Sequence, residues 1–223
     1  MREALALLVS GDPETWGIVL RSLRFSLFST IFSVVPAFPL GIALATADFR
    51  GRRALVSFIN ALMALPTVVV GLLVYSLISR SGPLGAFGFL FAPAGVVMGQ
   101  AFLAFPVVVS LTHAGLSKLD PRFKETLVTL GARPAARFAA TLREAKAVLV
   151  AAVVTSFGRV TGEVGVSMML GGNIRNTTRT MTTAIALDAS KGEFERAVSL
   201  GMMLLLIALA INFALHALAR RES

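Results

Sequence analysis

Residues 93–116 read PAGVVMGQAFLAFPVVVSLTHAGL, with no Asp, Glu, Lys or Arg among them. A helix crosses the hydrocarbon core of a bilayer with about 20 mostly apolar residues, and this run is long enough. Four further stretches share its character: Trp16–Ala47, Ala54–Ile78, Ala147–Leu170 and Ala197–Ala219. The pattern predicts an all-α, polytopic membrane helix bundle of about five spanning helices, with residues 1–223 forming one transmembrane domain.

Composition agrees. The 223 residues are 56% hydrophobic and 15% charged, with mean hydropathy +0.79. A soluble domain has too little polar surface here to cover that much apolar mass. The net charge of +9 comes in short runs between apolar stretches. Nucleic-acid binding would instead gather it on one solvated face, so no nucleic-acid partner is expected, and membrane lipid is. There is no cysteine, which removes disulfides, thiol nucleophiles and Cys-based metal sites. Ala4–Val9 is short for a signal-peptide core, so Met1–Ser10 is expected to remain as a short helix on the membrane surface.

Basic residues set the orientation. Twelve fall on one side: Arg50, Arg52 and Arg53, seven between Lys118 and Lys146, then Arg220 and Arg221. Six fall on the other: Arg2, Arg80, Arg175, Arg179, Lys191 and Arg196. The richer side faces the cytoplasm, so the N-terminus is expected outside and the C-terminus inside. Residues 117–146 then form a long cytoplasmic loop. Phe123, Leu127, Leu130 and Phe138 recur at helical spacing in it, and Pro121 and Pro134 break it into short helices. Such a loop needs a partner to cover its apolar side.

Enzymatic signals are missing. There is no Gly-x-x-x-x-Gly-Lys-Ser/Thr run for ATP, no His-Glu-x-x-His and no Gly-x-Ser-x-Gly. His113 and His216 lie in different apolar stretches and read as helix-end polar groups. The chain is therefore read as a non-enzyme with no catalytic residue, metal or cofactor of its own. The strongest anomaly is Arg159 with Glu163 inside an apolar stretch, each costing about 3 kcal/mol near mid-membrane. Four apart, they share a helical face; they either fix packing or line a watery path. Gly158, Gly162 and Gly165 lie beside them, as a close-packing stripe within the chain or between copies. Pro66 and Pro106 sit in similar motifs, ALPTVVVG and AFPVVVS, and read either as paired hinges or as ordinary membrane prolines.

Residues 171–183, GGNIRNTTRTMTT, are rich in donors and contain no acid. Asn173, Arg175, Arg179 and Thr182 suit an oxyanion; the same composition also suits a solvated outer loop. On the first reading Arg175 and Arg179 meet the anion outside and Arg159 lies deeper.

Two stretches resemble a known family. Glu125-Thr126-Leu127, then Gly131, resembles the coupling loop of ABC importer permeases: Glu-Ala-Ala, three residues, Gly, nine residues, Ile, one residue, Leu-Pro. The distal half departs, with Thr141 for Ile and Arg143-Glu144 for Leu-Pro. Gly162–Gly165, MMLGGNIRNTTRTMTTAIAL (168–187) and Lys191–Phe194 are similar to molybdate and tungstate permeases, most of all to the tungstate branch, and the likeness extends to Ser10–Glu14. The resemblance implies the type I ABC importer permease fold in the cell's inner membrane and a two-fold homodimer. It implies a cytoplasmic ATPase subunit carrying ATP and Mg, and an external oxyanion-binding protein. It further implies that a short helix around Glu125, Thr126, Leu127, Leu130, Gly131 and Ala132 docks on the ATPase. The expected cargo is tungstate, with molybdate, sulfate or another ABC cargo as alternatives. A membrane assembly subunit without a pore is the reading from a different class.

Overall fold

The structure, a computed structural model, describes residues 12–119 and 121–221; the expected surface helix at Met1–Ser10 lies outside the described residues. Among those described there are ten α-helices, one 3₁₀ turn at Gly85–Phe87 and no strand. The first helix, α1 (Pro13–Thr46), starts where Asp12 Oδ2 accepts from the Thr15 amide at 2.9 Å and the Thr15 hydroxyl at 2.6 Å. That cap satisfies donors left open by helix geometry. The Thr15 hydroxyl, then its amide, hold the Asp12 carboxyl below the usual carboxylate range.

The second and fourth apolar stretches are not single straight spans. Residues 52–78 form α2 (Arg52–Leu62) and α3 (Thr67–Ile78), bent by 100°. Pro66 stands at the bend in an extended conformation, ψ 131°, as the N-cap of α3; it has no N–H to continue α2, and it disfavours helix at Leu65. Pro106, in the similar motif, lies inside the unbroken α4 (Pro93–Leu116). The two motifs therefore do not form a pair of bends. Residues 146–171 form α7 (Lys146–Thr161) and α8 (Gly165–Gly171), bent by 62° at Gly162–Val164. Between α4 and α7 lie α5 (Pro121–Thr129) and α6 (Pro134–Glu144), each opened by its proline, where a missing N–H costs nothing. The chain closes with α9 (Met181–Ser190) and α10 (Phe194–Arg221). By length and apolarity α1, α4 and residues 194–211 of α10 each suffice to cross a membrane, and each bent pair suffices as one span.

Four apolar clusters tie the described residues into a bundle; in one, Ile42, Leu116 and Leu149 join α1, α4 and α7. Ile18, Met181, Leu200 and Met203 join α1, α9 and α10. Ala37, Leu44, Ile59 and Val108 join α1, α2 and α4. Val74, Leu103, Val166 and Leu170 join α3, α4 and α8. Outward the bundle is apolar too: Phe28, Phe32 and Val35 on α1, Leu72 and Leu73 on α3, and Leu205 on α10 are all exposed. Only lipid or another apolar surface makes that arrangement favourable.

Inward, α1 shows a stripe of hydroxyls. Ser22, Ser26, Ser29, Thr30 and Ser33 are all buried. Ser22, Ser29 and Thr30 donate to carbonyls one turn back at 3.0, 2.6 and 2.7 Å. Ser29 also donates to Gln100 Oε1 at 3.0 Å, and Gln100 Nε2 donates to Ser167 at 3.1 Å. This relay links α1, α4 and the half-helix α8 through one buried amide.

Candidate functional site

The break between α7 and α8 is built by Glu163. Its side chain is 5% exposed. Oε1 accepts from the Val166 amide at 3.1 Å, so the carboxylate caps α8. Oε2 stands 3.8 Å from Arg159 Nη1. The expected pair therefore forms, but not along one helical face: Arg159 lies on α7 and Glu163 beyond its end. The Glu163 carbonyl accepts from Thr182 Oγ1 at 2.8 Å, which brings Arg159, Glu163 and Thr182 together. Of the glycine stripe, Gly165 is tightly packed within the chain, where an added Cβ would lie 3.0 Å from Thr67 Oγ1 of α3. Gly162 has open space beside it, with nothing nearer than the Gly158 carbonyl at 3.9 Å.

The 171–183 segment is divided: residues 174–177 are exposed, and residues 178–183 pack against the bundle. After α8 it turns back into the bundle, where Thr178, Thr180, Thr182 and Thr183 are buried. Thr178 Oγ1 accepts from the Ile174 amide at 3.0 Å and donates to the Gly171 carbonyl. Thr180 and Thr183 form a reciprocal capping box at the start of α9. The Met181 amide donates to Ser22 at 2.7 Å. Asn173, at φ +51°, donates through Nδ2 to the Thr183 carbonyl at 3.2 Å. Arg179 Nη2 reaches the Asn173 carbonyl at 3.5 Å. Arg175 is separate: exposed, it pairs with Glu14 at the start of α1. Glu14 also stands 3.9 Å from Arg196, which lies 3.5 Å from Asp188.

At the opposite end of α1, the α5–α6 pair leaves a cavity of about 530 Å³ bordered by Ile42, Thr46, Leu116, Leu127, Arg137 and Phe138. Glu125 and Thr126 lie on α5; the Glu125 side chain is outside the described residues. Gly131 ends the helix at φ +64°, a conformation costly for side chains bearing a Cβ. The Ala132 amide returns to the Leu127 carbonyl at 3.1 Å, and the Ala132 carbonyl accepts from Arg137 Nε at 2.7 Å. This turn presents Leu130 outward at 76% exposure.

Sequence reading had no role for Arg21, Gln100, Ser29 or Ser167. The signal for the stripe was the spacing of Ser22, Ser26, Ser29 and Ser33, which puts hydroxyls on one helical face. Nothing local marked Gln100.

The site thus lies in a helical bundle with two bent helix pairs, a stripe of buried hydroxyls and a two-helix element beyond the spans; among the described residues no cluster could hold a metal. The family model for the binding-protein-dependent transport system inner membrane component matches residues 37–223. The tungstate uptake system permease protein TupB of Peptoclostridium acidaminophilum is 38% identical over 217 residues, covering 97% of this chain and 95% of that one. The molybdenum transport system permease protein ModB of Escherichia coli K12 is 31% identical, covering 95% and 97%. In fold, the chain is similar to an inward-facing MetNI methionine ABC transporter, with TM-score 0.77, 17% identity and coverage of 96% and 99%. The chain belongs to the family of binding-protein-dependent transport system inner membrane components. It is the permease subunit of an ABC importer and an inner membrane protein, not itself an enzyme; the ATPase is a separate subunit. Family membership implies an ATPase partner and a substrate-binding protein.

Proposed function

We propose that this permease carries a tetrahedral oxyanion, tungstate first and molybdate next, through a two-fold homodimer of this chain. The observation that carries the oxyanion is the 171–183 segment: acid-free and donor-rich, it returns from an exposed turn at 174–177 into the bundle, with Arg179 between the buried Thr178 and Thr180. Strongly hydrated dianions enter a path only where directed donors and positive field offset lost water. Tungstate is favoured among oxyanions because the relative bearing that name is 38% identical, against 31% for the molybdate relative. Arg159, Glu163, Asn173, Arg179 and Thr182 belong to the path, with Arg175 at its outer rim. The N-terminus lies outside and the C-terminus in the cytoplasm.

ATP and Mg reside on the partner ATPase. Glu125, Thr126, Leu127, Leu130, Gly131 and Ala132 dock on it, and the exposed Leu130 supplies the apolar contact. One five-span chain is too thin to enclose a gated path, which favours a closed two-fold pair. The test is uptake into proteoliposomes holding permease, ATPase and binding protein. Labelled tungstate should accumulate with ATP, and excess molybdate should compete. Accumulation of a neutral or cationic solute, with no oxyanion carried, would refute the reading.

A further inference from the structure

Arg21 sits eight residues into α1, about 12 Å from its start at 1.5 Å per residue, well inside the first span. Its guanidinium folds back over Gly17, whose added Cβ would meet Arg21 Nη1 at 3.4 Å. Nε donates to the Arg179 carbonyl at 3.3 Å. Two guanidinium-bearing residues from distant parts of the chain are thus held together. Among the described residues neither forms an ion pair; Glu14, an acid at that end of α1, attracts Arg21 only from beyond pairing distance and is itself engaged by Arg175. Arg21 Nη2 and Arg179 Nε are both sealed from solvent and have no hydrogen-bond partner.

Half-buried like charges repel each other, and their two sealed-off donors go unrewarded. A doubly charged tetrahedral oxyanion reverses both terms, because its oxygens accept from two guanidinium forks at once. We infer that Arg21 and Arg179 together form an anion-binding step on the transport path, closed in this conformation and opened when α1 and the 171–183 segment part. This rests on the oxyanion reading above and adds Arg21, which that reading did not contain. The same chemistry is offered by a lipid phosphate headgroup; the cargo is favoured because Arg21 reaches from α1 to the Arg179 backbone and each residue keeps a sealed-off donor at that junction.

The test uses the full importer in proteoliposomes, with Arg21→Met and Arg21→Lys beside the parent. Tungstate uptake and binding-protein-stimulated ATP hydrolysis are measured together. Arg21→Met should lower uptake at least tenfold while ATP hydrolysis stays within twofold, and Arg21→Lys should recover most of the uptake. Unchanged uptake in Arg21→Met would overturn the inference. So would parallel loss of uptake and hydrolysis in both variants, which marks a structural role. A defect that disappears in vesicles of phosphatidylcholine alone would assign the pair to anionic lipid instead. If the parent carries neither tungstate, molybdate nor sulfate, the cargo reading itself has failed, a result separable from a failure of Arg21.

Discussion

At Glu163 one carboxylate performs two tasks: Oε1 caps α8 and Oε2 faces Arg159. Removing it opens a buried helix end and strands a cation, the kind of loss that costs about 3–5 kcal/mol for a broken buried pair, less here because Arg159 is 41% exposed. Glu163→Ala should therefore lower the melting temperature of the purified assembly by several degrees and abolish uptake. Arg159→Leu should lower uptake while leaving the melting temperature within about two degrees; a larger drop would make Arg159 a packing residue. Gln100 is purely interior: Gln100→Leu leaves Ser167 without its partner, while Ser29 keeps the Phe25 carbonyl, and should cost about 1–3 kcal/mol in denaturant unfolding. Arg159 and Glu163 were legible in sequence because an intramembrane charge is conspicuous. Arg21 was not: near a span's start it reads like any arginine reaching for the interface, and only its meeting with Arg179 gives it meaning. Gln100 was silent for the same reason, its partners lying 71 and 67 residues away.

At the scale of elements, apolar length revealed where the chain crosses lipid but not where the spans break. Hydropathy is blind to direction, so residues 54–78 read as one helix although Pro66 turns them by 100°. Proline alone does not decide this either, since Pro106 lies in an intact α4. The difference predicts unequal consequences. Pro106→Ala should leave uptake within about twofold, whereas Pro66→Ala, which lets α2 run on into α3, should slow it at least fivefold. Equal effects would show that both act only through packing. The α5–α6 element was read more fully, because its two prolines mark where the short helices begin; the left-handed stop at Gly131 came from the structure. Gly131→Ala imposes the left-handed penalty of about 1–2 kcal/mol on that turn and should weaken ATPase co-purification. Leu130→Asp should abolish co-purification without shifting permease unfolding. Retention of the ATPase by Leu130→Asp would move the docking surface elsewhere.

For the molecule as a whole, the two ends of the bundle differ in chemistry. One end carries α5–α6 and most of the arginines; the other carries the ion-paired group Glu14, Arg175, Arg196 and Asp188. On the proposed orientation the richer end lies in the cytoplasm, where the positive-inside rule puts it and where an ATP-driven importer would present its docking element. The chain has no cysteine, so any introduced thiol is its sole label. Asn176→Cys and Ala135→Cys both lie at exposed positions, at opposite ends. In intact cells a membrane-impermeant maleimide should modify Asn176→Cys and spare Ala135→Cys; in inverted vesicles the pattern should exchange. Both assignments stand on one bundle axis, so a single reversal decides them together. Labelling of Ala135→Cys from outside would place α5–α6 beyond reach of any cytoplasmic motor, and the coupling of ATP hydrolysis to the path through this element would then be physically impossible.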